Sequence, residues 1–154
     1  SDFLLIDYGG SVNGYPADIT RTFCLGTPTA EMQKIYDTVL AANTAAKKAA
    51  GPGVPMGDVD KAARDVITEA GYGDYFIHRT GHGLGLEVHE DPRITRRRPD
   101  VDTRDEAVAA GMVFTIEPGA YLPDWGGVRI EDDVLVTANG VEVLTDVTTA
   151  LIEI

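Results

Sequence analysis

Residues 3–23, FLLIDYGGSVNGYPADITRTF, predict a β-hairpin near the start of the chain. Phe3 to Ile6 form a continuous apolar run, which is typical of a strand that is buried on both faces. Residues 18–23 alternate in the manner of a second strand, and Asn13-Gly14 supplies the positive φ angles of a tight turn. We therefore expect the two strands to pair.

The hairpin carries two carboxylates that strand pairing would bring together. Asp7 follows the apolar run, and Asp18 begins the returning strand 11 positions later. Two carboxylates in one buried site repel each other, and removing both from water is costly unless a proton or a cation separates them. This cost favours a metal site. Taken alone, however, the two aspartates are better explained by turns, with Asp7 as a cap and Asp18 as an exposed Asx-turn residue.

Downstream of the hairpin the pattern changes to helices and then to short strands. Thr27 and Pro28 suit the N-cap and first position of a helix whose apolar side chains recur at helical spacing up to Gly51. A second helix follows Pro55 and ends before Gly71. This order predicts a single α+β domain. The later β-type runs lie near residues 85–89, 112–116, 128–136 and 141–144.

Composition narrows the classes of function. The 154 residues are 44% apolar and carry a formal net charge of −12, so the chain is globular and lacks the positive charge that nucleic-acid binding requires. No apolar run approaches the roughly 20 residues of a membrane helix. The Arg96-Arg97-Arg98 run is expected to form a solvated loop. A single cysteine, Cys24, cannot form an internal disulfide and favours a reducing cytoplasm.

The three histidines of the chain lie within twelve residues of a glycine-rich segment. The segment is HRTGHGLGLEVHEDP, residues 78–92. Its glycines disfavour a helix, so it is not the helical His-Glu-x-x-His zinc site, and Leu86 replaces the third glycine of a dinucleotide-binding loop. We predict a strand-and-turn segment that brings several imidazoles into one pocket, in preference to a chance cluster of histidines.

Two further acids interrupt apolar strands. Glu117 lies in TIEPG, residues 115–119, and Glu131 lies in VRIEDDV, residues 128–134. An acid on an interior strand needs a partner, and for Glu131 alone an ion pair with Arg129 would be sufficient. Together with the two hairpin aspartates and one histidine, these acids form an oxygen-rich donor set. Such a set suits Mn²⁺, or alternatively Fe²⁺ or Co²⁺, better than a structural Zn²⁺.

Taken in order, these motifs closely resemble those of the pita-bread metallopeptidases, and the resemblance spans nearly the whole chain. Within that superfamily the chain is most similar to the Xaa-Pro dipeptidases, or prolidases, and to the Xaa-Pro aminopeptidases. The resemblance implies the pita-bread (creatinase/aminopeptidase) fold, which is a curved antiparallel sheet with flanking helices. It also implies two divalent metal ions, Mn²⁺, Co²⁺, Fe²⁺ or Zn²⁺, bridged by Asp18 and Glu131. The implied ligands are Asp7, Asp18, His82, Glu117 and Glu131.

The resemblance further implies roles for four side chains. Glu117 would act as the general base and then pass the proton to the departing nitrogen. His89 would hydrogen-bond the tetrahedral intermediate, and His78 would contact the residue after the scissile bond. Arg129 would hold Glu131 and the neighbouring acids in place. The implied activity is that of a metallo-exopeptidase acting on proline-containing peptides.

Two other functions stay open at this point. Methionine aminopeptidases use the same five ligands, but Arg129 and the Asp-Asp pair that follows Glu131 fit the prolyl-peptidase pattern. A non-catalytic binding module on the same fold would have lost ligands, whereas this chain keeps all five. The sequence does not separate a dipeptidase from an aminopeptidase.

The chain opens almost directly on an apolar strand. We therefore expect residues 1–154 to be the C-terminal catalytic domain of a longer protein, and the resemblance implies that the intact form is a homodimer. Members of the family carry a further pocket histidine, two helices and usually an N-terminal domain before the strand that contains Asp7. We expect the isolated chain to have an open pocket and weak or no turnover.

Overall fold

A computed structural model of the protein describes residues 1–97 and 106–154. Within these residues the chain forms nine strands and two α-helices, with one 3₁₀ turn at Gly73–Tyr75. The predicted α+β class is confirmed. The elements are β1 (Asp2–Val12), β2 (Tyr15–Leu25), α1 (Ala30–Ala49), α2 (Met56–Glu69), β3 (Gly81–Gly83), β4 (Glu90–Ile94), β5 (Val113–Ile116), β6 (Gly119–Leu122), β7 (Gly126–Arg129), β8 (Asp132–Thr137) and β9 (Gly140–Val143).

The predicted hairpin is present, with one difference in burial. Strands β1 and β2 pair antiparallel, and both residues of the Asn13-Gly14 turn have positive φ angles. The expectation that residues 3–6 are buried on both faces is wrong, because Leu4 is 38% exposed and Ile6 is 39% exposed. Among the described strands β1 is hydrogen-bonded to β2 alone, so one of its edges and part of its apolar surface stay uncovered.

Both predicted helices are present, and the first begins later than expected. Thr29 is the N-cap of α1 in place of Thr27, because the Thr29 hydroxyl accepts the N–H of Met32 at 3.2 Å. Helix α2 is followed, as predicted, by Gly71, whose φ angle is 89°. Within the described part of the chain, neither helix combines the length and the apolar character needed to cross a bilayer.

Helix α1 packs on both parts of the strand layer. Its second half joins α2 and the five-stranded antiparallel sheet β4-β3-β5-β8-β9 in one apolar cluster, which includes Ala46, Ile67 and Phe114. Its first half packs against the β6-β7 hairpin in a second cluster, which includes Ile35 and Val128. The helix therefore lies beneath the region where β5 continues into β6 and β7 continues into β8.

Two of the predicted β-runs differ from the structure. Residues 85–89 form bends and not a strand, because the Glu90 carboxylate accepts the N–H groups of Leu86 and Glu87 at 2.9 and 3.0 Å and turns the backbone. The predicted run 128–136 is divided into β7 and β8.

The division between β7 and β8 falls at Ile130-Glu131, where the backbone N–H of Glu131 donates to the Thr20 carbonyl of β2 at 3.1 Å. A strand is thus interrupted at one of the predicted ligands. In the predicted solvated loop, Arg96 and Arg97 are exposed, and Arg98 lies outside the described residues.

Candidate metal centre

The hairpin register places three polar side chains on one face. Asp7 pairs with Thr20, and Gly9 pairs with Asp18. Because side chains alternate along a strand, Asp7, Thr20 and Asp18 project from the same side. A side chain at Gly9 has no space, because its Cβ would lie 2.0 Å from the Ala17 carbonyl oxygen. The prediction that Asp18 begins the second strand is wrong, because β2 already begins at Tyr15 and Asp18 lies inside it.

The other three predicted ligands come from separate strands. His82 lies in β3 beside a register shift, Glu117 follows β5, and Glu131 occupies the interruption between β7 and β8. Thr115 links the first two, since its hydroxyl accepts the His82 N–H at 3.1 Å and donates to Glu117 Oε1 at 3.0 Å. Each side chain thus leaves the sheet where regular pairing stops or shifts.

All five predicted ligands converge. Ligand atoms of Asp7, Asp18 and Glu131 lie within 4.8 Å of one another, and so do those of His82, Glu117 and Glu131. Glu131 belongs to both trios, and Asp18 Oδ2 lies 3.6 Å from His82 Nε2. The two trios therefore share one carboxylate and adjoin at a second.

His82 presents an acceptor nitrogen to the acids. Its Nδ1 lies 3.0 Å from the Gly83 carbonyl oxygen, so in the neutral imidazole this nitrogen carries the proton. Its Nε2 faces Asp18 at 3.6 Å and Glu117 Oε1 at 3.3 Å. Three acceptors that face one another need a proton or a cation between them, and this histidine tautomer is the one that ligates metal through Nε2.

Burial makes the cluster unfavourable as a set of free anions. It raises the pKa of Glu131 to about 8, with a further rise from the Glu117 carboxylate and an opposing hydrogen bond of 2.5 Å from Thr20. It also raises the pKa of Glu117, more than the nearby His82 lowers it. His82 lowers the pKa of Asp18 against the effect of burial. Positive charge would stabilise this cluster.

The donor set fits a pair of divalent cations. Four carboxylates and one neutral imidazole supply mainly oxygen ligands, and two dications balance the four negative charges. Glu131 is 2% exposed, so water cannot solvate its charge. A shared carboxylate at the centre is the arrangement that bridging ligation requires.

Arg129 reaches the acids by a different route from the simple ion pair with Glu131. Its Nη2 pairs with Asp7 Oδ2 at 2.6 Å, and its Nε donates to the Thr20 hydroxyl at 3.2 Å. The Thr20 hydroxyl in turn donates to Glu131 Oε2. Arg129 therefore holds Asp7 directly and Glu131 through Thr20, a residue that the sequence analysis missed. Its position two residues after Asp18 in an alternating strand could have indicated that both share a face.

His78 is joined to Arg129 through Tyr121. The Nδ1 of His78 donates to the Arg79 carbonyl at 2.7 Å, which leaves Nε2 to accept from the Tyr121 hydroxyl at 2.8 Å. The Tyr121 oxygen also accepts from Arg129 Nη1 at 2.9 Å. Burial lowers the pKa of His78 and favours this neutral form. No sequence pattern marks Tyr121, and only its partners show that it belongs to the site.

Two of the predicted ligands, His82 and Glu117, line a cavity of about 470 Å³. The rings of His82 and His89 lie 4.2 Å apart, and His89 is exposed at the rim. The prediction that the three imidazoles share one pocket is confirmed, whereas Arg79 was not predicted. The lining residues are His78, Arg79, His82, His89, Glu117 and Arg129.

A buried ion pair on α2 fixes the segment that carries the first two histidines. Asp60 accepts two hydrogen bonds from Arg64 at 2.9 and 3.0 Å, and it also accepts from the Thr80 hydroxyl at 2.8 Å. Arg64 donates to the carbonyl oxygens of Phe76 and His78 at 2.8 and 2.9 Å. Helix α2 thereby anchors the backbone on either side of His78.

Asp60→Asn is expected to reduce the free energy of unfolding by about 3 kcal/mol, because it removes a fully buried carboxylate charge from the half-buried Arg64 guanidinium. Urea unfolding of the intact protein measures the loss. Asp65→Asn is the matched control, since Asp65 forms an exposed pair with Lys61 on the same helix and is expected to contribute less than about 1 kcal/mol. Equal losses in the two variants would contradict the anchoring role.

The chain shares sequence similarity with a known family of metallopeptidases. Residues 1–138 match the model of metallopeptidase family M24. The chain is 51% identical over 145 residues to the Xaa-Pro dipeptidase of Pyrococcus furiosus. This alignment covers 94% of this chain and 40% of that protein. More generally, the chain spans about 40% of the length of the curated relatives it matches.

Solved structures give the same result. The prolidase from Pyrococcus furiosus superimposes with a TM-score of 0.89 and 48% identity, covering 95% of this chain and 42% of that one. The X-Pro aminopeptidase from Thermotoga maritima MSB8 superimposes with a TM-score of 0.92 and 40% identity, covering 99% of this chain and 42% of that one. The similar structures thus include one protein named as a prolidase and one named as an aminopeptidase.

Proposed function

The chain belongs to metallopeptidase family M24 and has its pita-bread fold, and on this premise we propose that the intact protein is a dinuclear metallopeptidase that hydrolyses Xaa-Pro peptide bonds. The convergence of five donor side chains around the shared carboxylate of Glu131 carries the proposal. The names of the relatives, Xaa-Pro dipeptidase and prolidase, support the choice of substrate.

We propose that Asp7, Asp18, His82, Glu117 and Glu131 hold the metal ions. Two divalent ions at such a site would lower the pKa of a water molecule, so that hydroxide is available near neutral pH to attack a peptide carbonyl. The oxygen-rich donor set supports Mn²⁺ as the native ion, although Co²⁺, Fe²⁺ and Zn²⁺ also accept these ligands.

The side chains around the ligands supply the rest of the mechanism. Glu117 lines the cavity and takes a proton from the attacking water, then delivers it to the departing nitrogen. His89, exposed at the rim, donates a hydrogen bond to the oxygen of the tetrahedral intermediate. His78 is held neutral between Arg79 and Tyr121 and contacts the residue after the scissile bond. Arg129 keeps Asp7 and Thr20 in position.

A substrate panel tests this proposal on the intact, Mn²⁺-loaded protein. We expect cleavage of Ala-Pro or of Ala-Pro-Ala and no cleavage of Met-Ala-Ser. Cleavage of the dipeptide alone would identify a dipeptidase, and cleavage of the longer peptide would identify an aminopeptidase. Preferential cleavage of Met-Ala-Ser would instead support methionine aminopeptidase activity, and no cleavage of any peptide would support a binding module.

Two further proposals concern the intact protein: the resemblance supports a homodimer, and the cysteine content supports a cytoplasmic location. The second proposal rests on the single cysteine, Cys24, which is buried and unpaired. Size-exclusion chromatography with light scattering tests the first proposal, and fractionation of the source cells tests the second.

A further inference from the structure

Asn43 is a fully buried polar side chain on α1, close to the ligands but not among them. It is 0% exposed, and its Nδ2 donates to two carbonyl oxygens, that of Ile116 at 3.0 Å and that of Ile130 at 3.2 Å. These residues immediately precede Glu117 and Glu131. One side chain thus contacts the backbone segments that carry both glutamates.

The strand register places the two glutamates opposite each other. Strands β5 and β8 pair as far as Ile116, and β6 and β7 continue the pairing in the same register from Gly119. In this register Glu117 is the cross-strand partner of Glu131, and both lie between the two pairs of strands. Carboxylates that face each other across strands repel, so the backbone at this point must be held together by other groups.

Pro118 leaves this part of the ladder one hydrogen bond short. Its partner is Ile130, whose N–H donates to the Pro118 carbonyl at 3.4 Å. In an antiparallel ladder such a pair exchanges two hydrogen bonds, but proline has no N–H to donate in return. Asn43 Nδ2 donates to the Ile130 carbonyl in its place and also reaches Ile116.

We propose that Asn43 is a positioning residue, which replaces the missing donor of Pro118 and sets the spacing between Glu117 and Glu131, the two glutamates that would hold divalent metal. This inference rests on the proposed function, because it takes both glutamates as metal ligands. The Oδ1 of Asn43 has no hydrogen-bond partner among the described residues. Burying an unpaired carbonyl oxygen lowers the free energy of unfolding. The side chain is therefore better explained by what its Nδ2 holds than by stability alone.

Mn²⁺ binding to the chelator-stripped intact protein tests the proposal. By titration calorimetry, Asn43→Ala is expected to weaken binding by about 10- to 100-fold, the effect of removing a group that orients metal ligands. Electron paramagnetic resonance should show that the coupled signal of two neighbouring Mn²⁺ ions, expected for the wild type, is reduced. Asn43→Leu, which keeps a similar shape and removes the amide donor without burying a charge, gives the same readouts if the alanine variant does not fold.

Two further variants make the test specific. Val59→Ala removes buried methyl groups from α2 and no hydrogen bond to either strand, so it is expected to lower stability and leave Mn²⁺ affinity unchanged. Adding Pro118→Ala to Asn43→Ala restores a backbone N–H opposite Ile130 and is expected to recover part of the lost affinity.

The possible results separate this inference from the proposed function. Affinity within about twofold of wild type for both Asn43 variants, an equal loss in Val59→Ala, or no recovery in the double variant would each overturn the positioning role alone. A wild-type protein that binds no pair of ions would overturn the proposed function, and the inference with it.

Discussion

Glu117→Gln is expected to lower kcat/KM for a proline dipeptide by about 100- to 10,000-fold, the range that a positioned general acid and base contributes. The Glu117 carboxylate lines the cavity and lies 3.3 Å from His82, so glutamine occupies the same space without accepting a proton. Steady-state kinetics on the intact, Mn²⁺-loaded protein measures the loss. Elemental analysis of the same samples shows how much of the loss comes from lost metal.

Glu142→Gln is the control for this experiment. Glu142 is an exposed glutamate on β9 that does not line the cavity, and its substitution is expected to leave kcat/KM unchanged. A Glu117→Gln variant that retains both its metal and full activity would remove Glu117 from the proton-transfer step. Retained activity together with lost metal would remove the metal from the mechanism.

Glu131→Gln is expected to abolish metal-dependent activity and, in the metal-free protein, to increase stability at pH 8. The folded pKa of Glu131 is about 8, against an ordinary value of 4.5. Between these values the folded metal-free protein keeps a proton that the unfolded chain releases, so wild-type stability falls as pH rises from about 4.5 to about 8. Glutamine carries no charge and removes this dependence, a gain of up to about 4 kcal/mol at pH 8.

Urea unfolding of chelator-treated proteins at pH 5 and pH 8 measures this effect. Glu117 and His82 also have raised pKa values that act in the same direction. The difference between variant and wild type therefore measures Glu131 together with its electrostatic coupling to Glu117. Mn²⁺ should reverse the order, because the ions stabilise the wild type and bind the variant poorly. If the metal-free variant is no more stable than wild type at pH 8, burial of the ionised Glu131 carboxylate does not destabilise the folded protein.

The sequence predicted those parts of the fold that depend on neighbouring residues. Asn13-Gly14 predicted the hairpin because few other residues adopt its two positive φ angles, and the apolar spacing predicted both helices. The predicted strand at 85–89 was wrong because the Glu90 side chain takes the backbone N–H groups that a strand would use. The choice between Thr27 and Thr29 as a cap depended on which hydroxyl faced the N–H of Met32.

The residues that support the candidate site could not be predicted from the sequence. Asn43 and Ile130 are 87 positions apart, and Thr20 and Glu131 are 111 apart, so no local pattern connects either pair. For Glu131 taken alone, the sequence analysis had considered an ion pair with Arg129. In the structure its short contact is to Asp7, 122 positions away, because the hairpin folds across the strand that carries Arg129.

The sequence by itself determined which chemical groups the protein can offer, namely four carboxylates and an imidazole in a fixed order, because donor chemistry belongs to the residue type. Only the tertiary structure decided which carboxylate is shared, which acid is too buried to ionise readily, and which helix supplies the donor that Pro118 lacks. Charge repulsion, desolvation and hydrogen bonding depend on distances of a few ångströms. Those distances are set by packing between segments that are far apart along the chain.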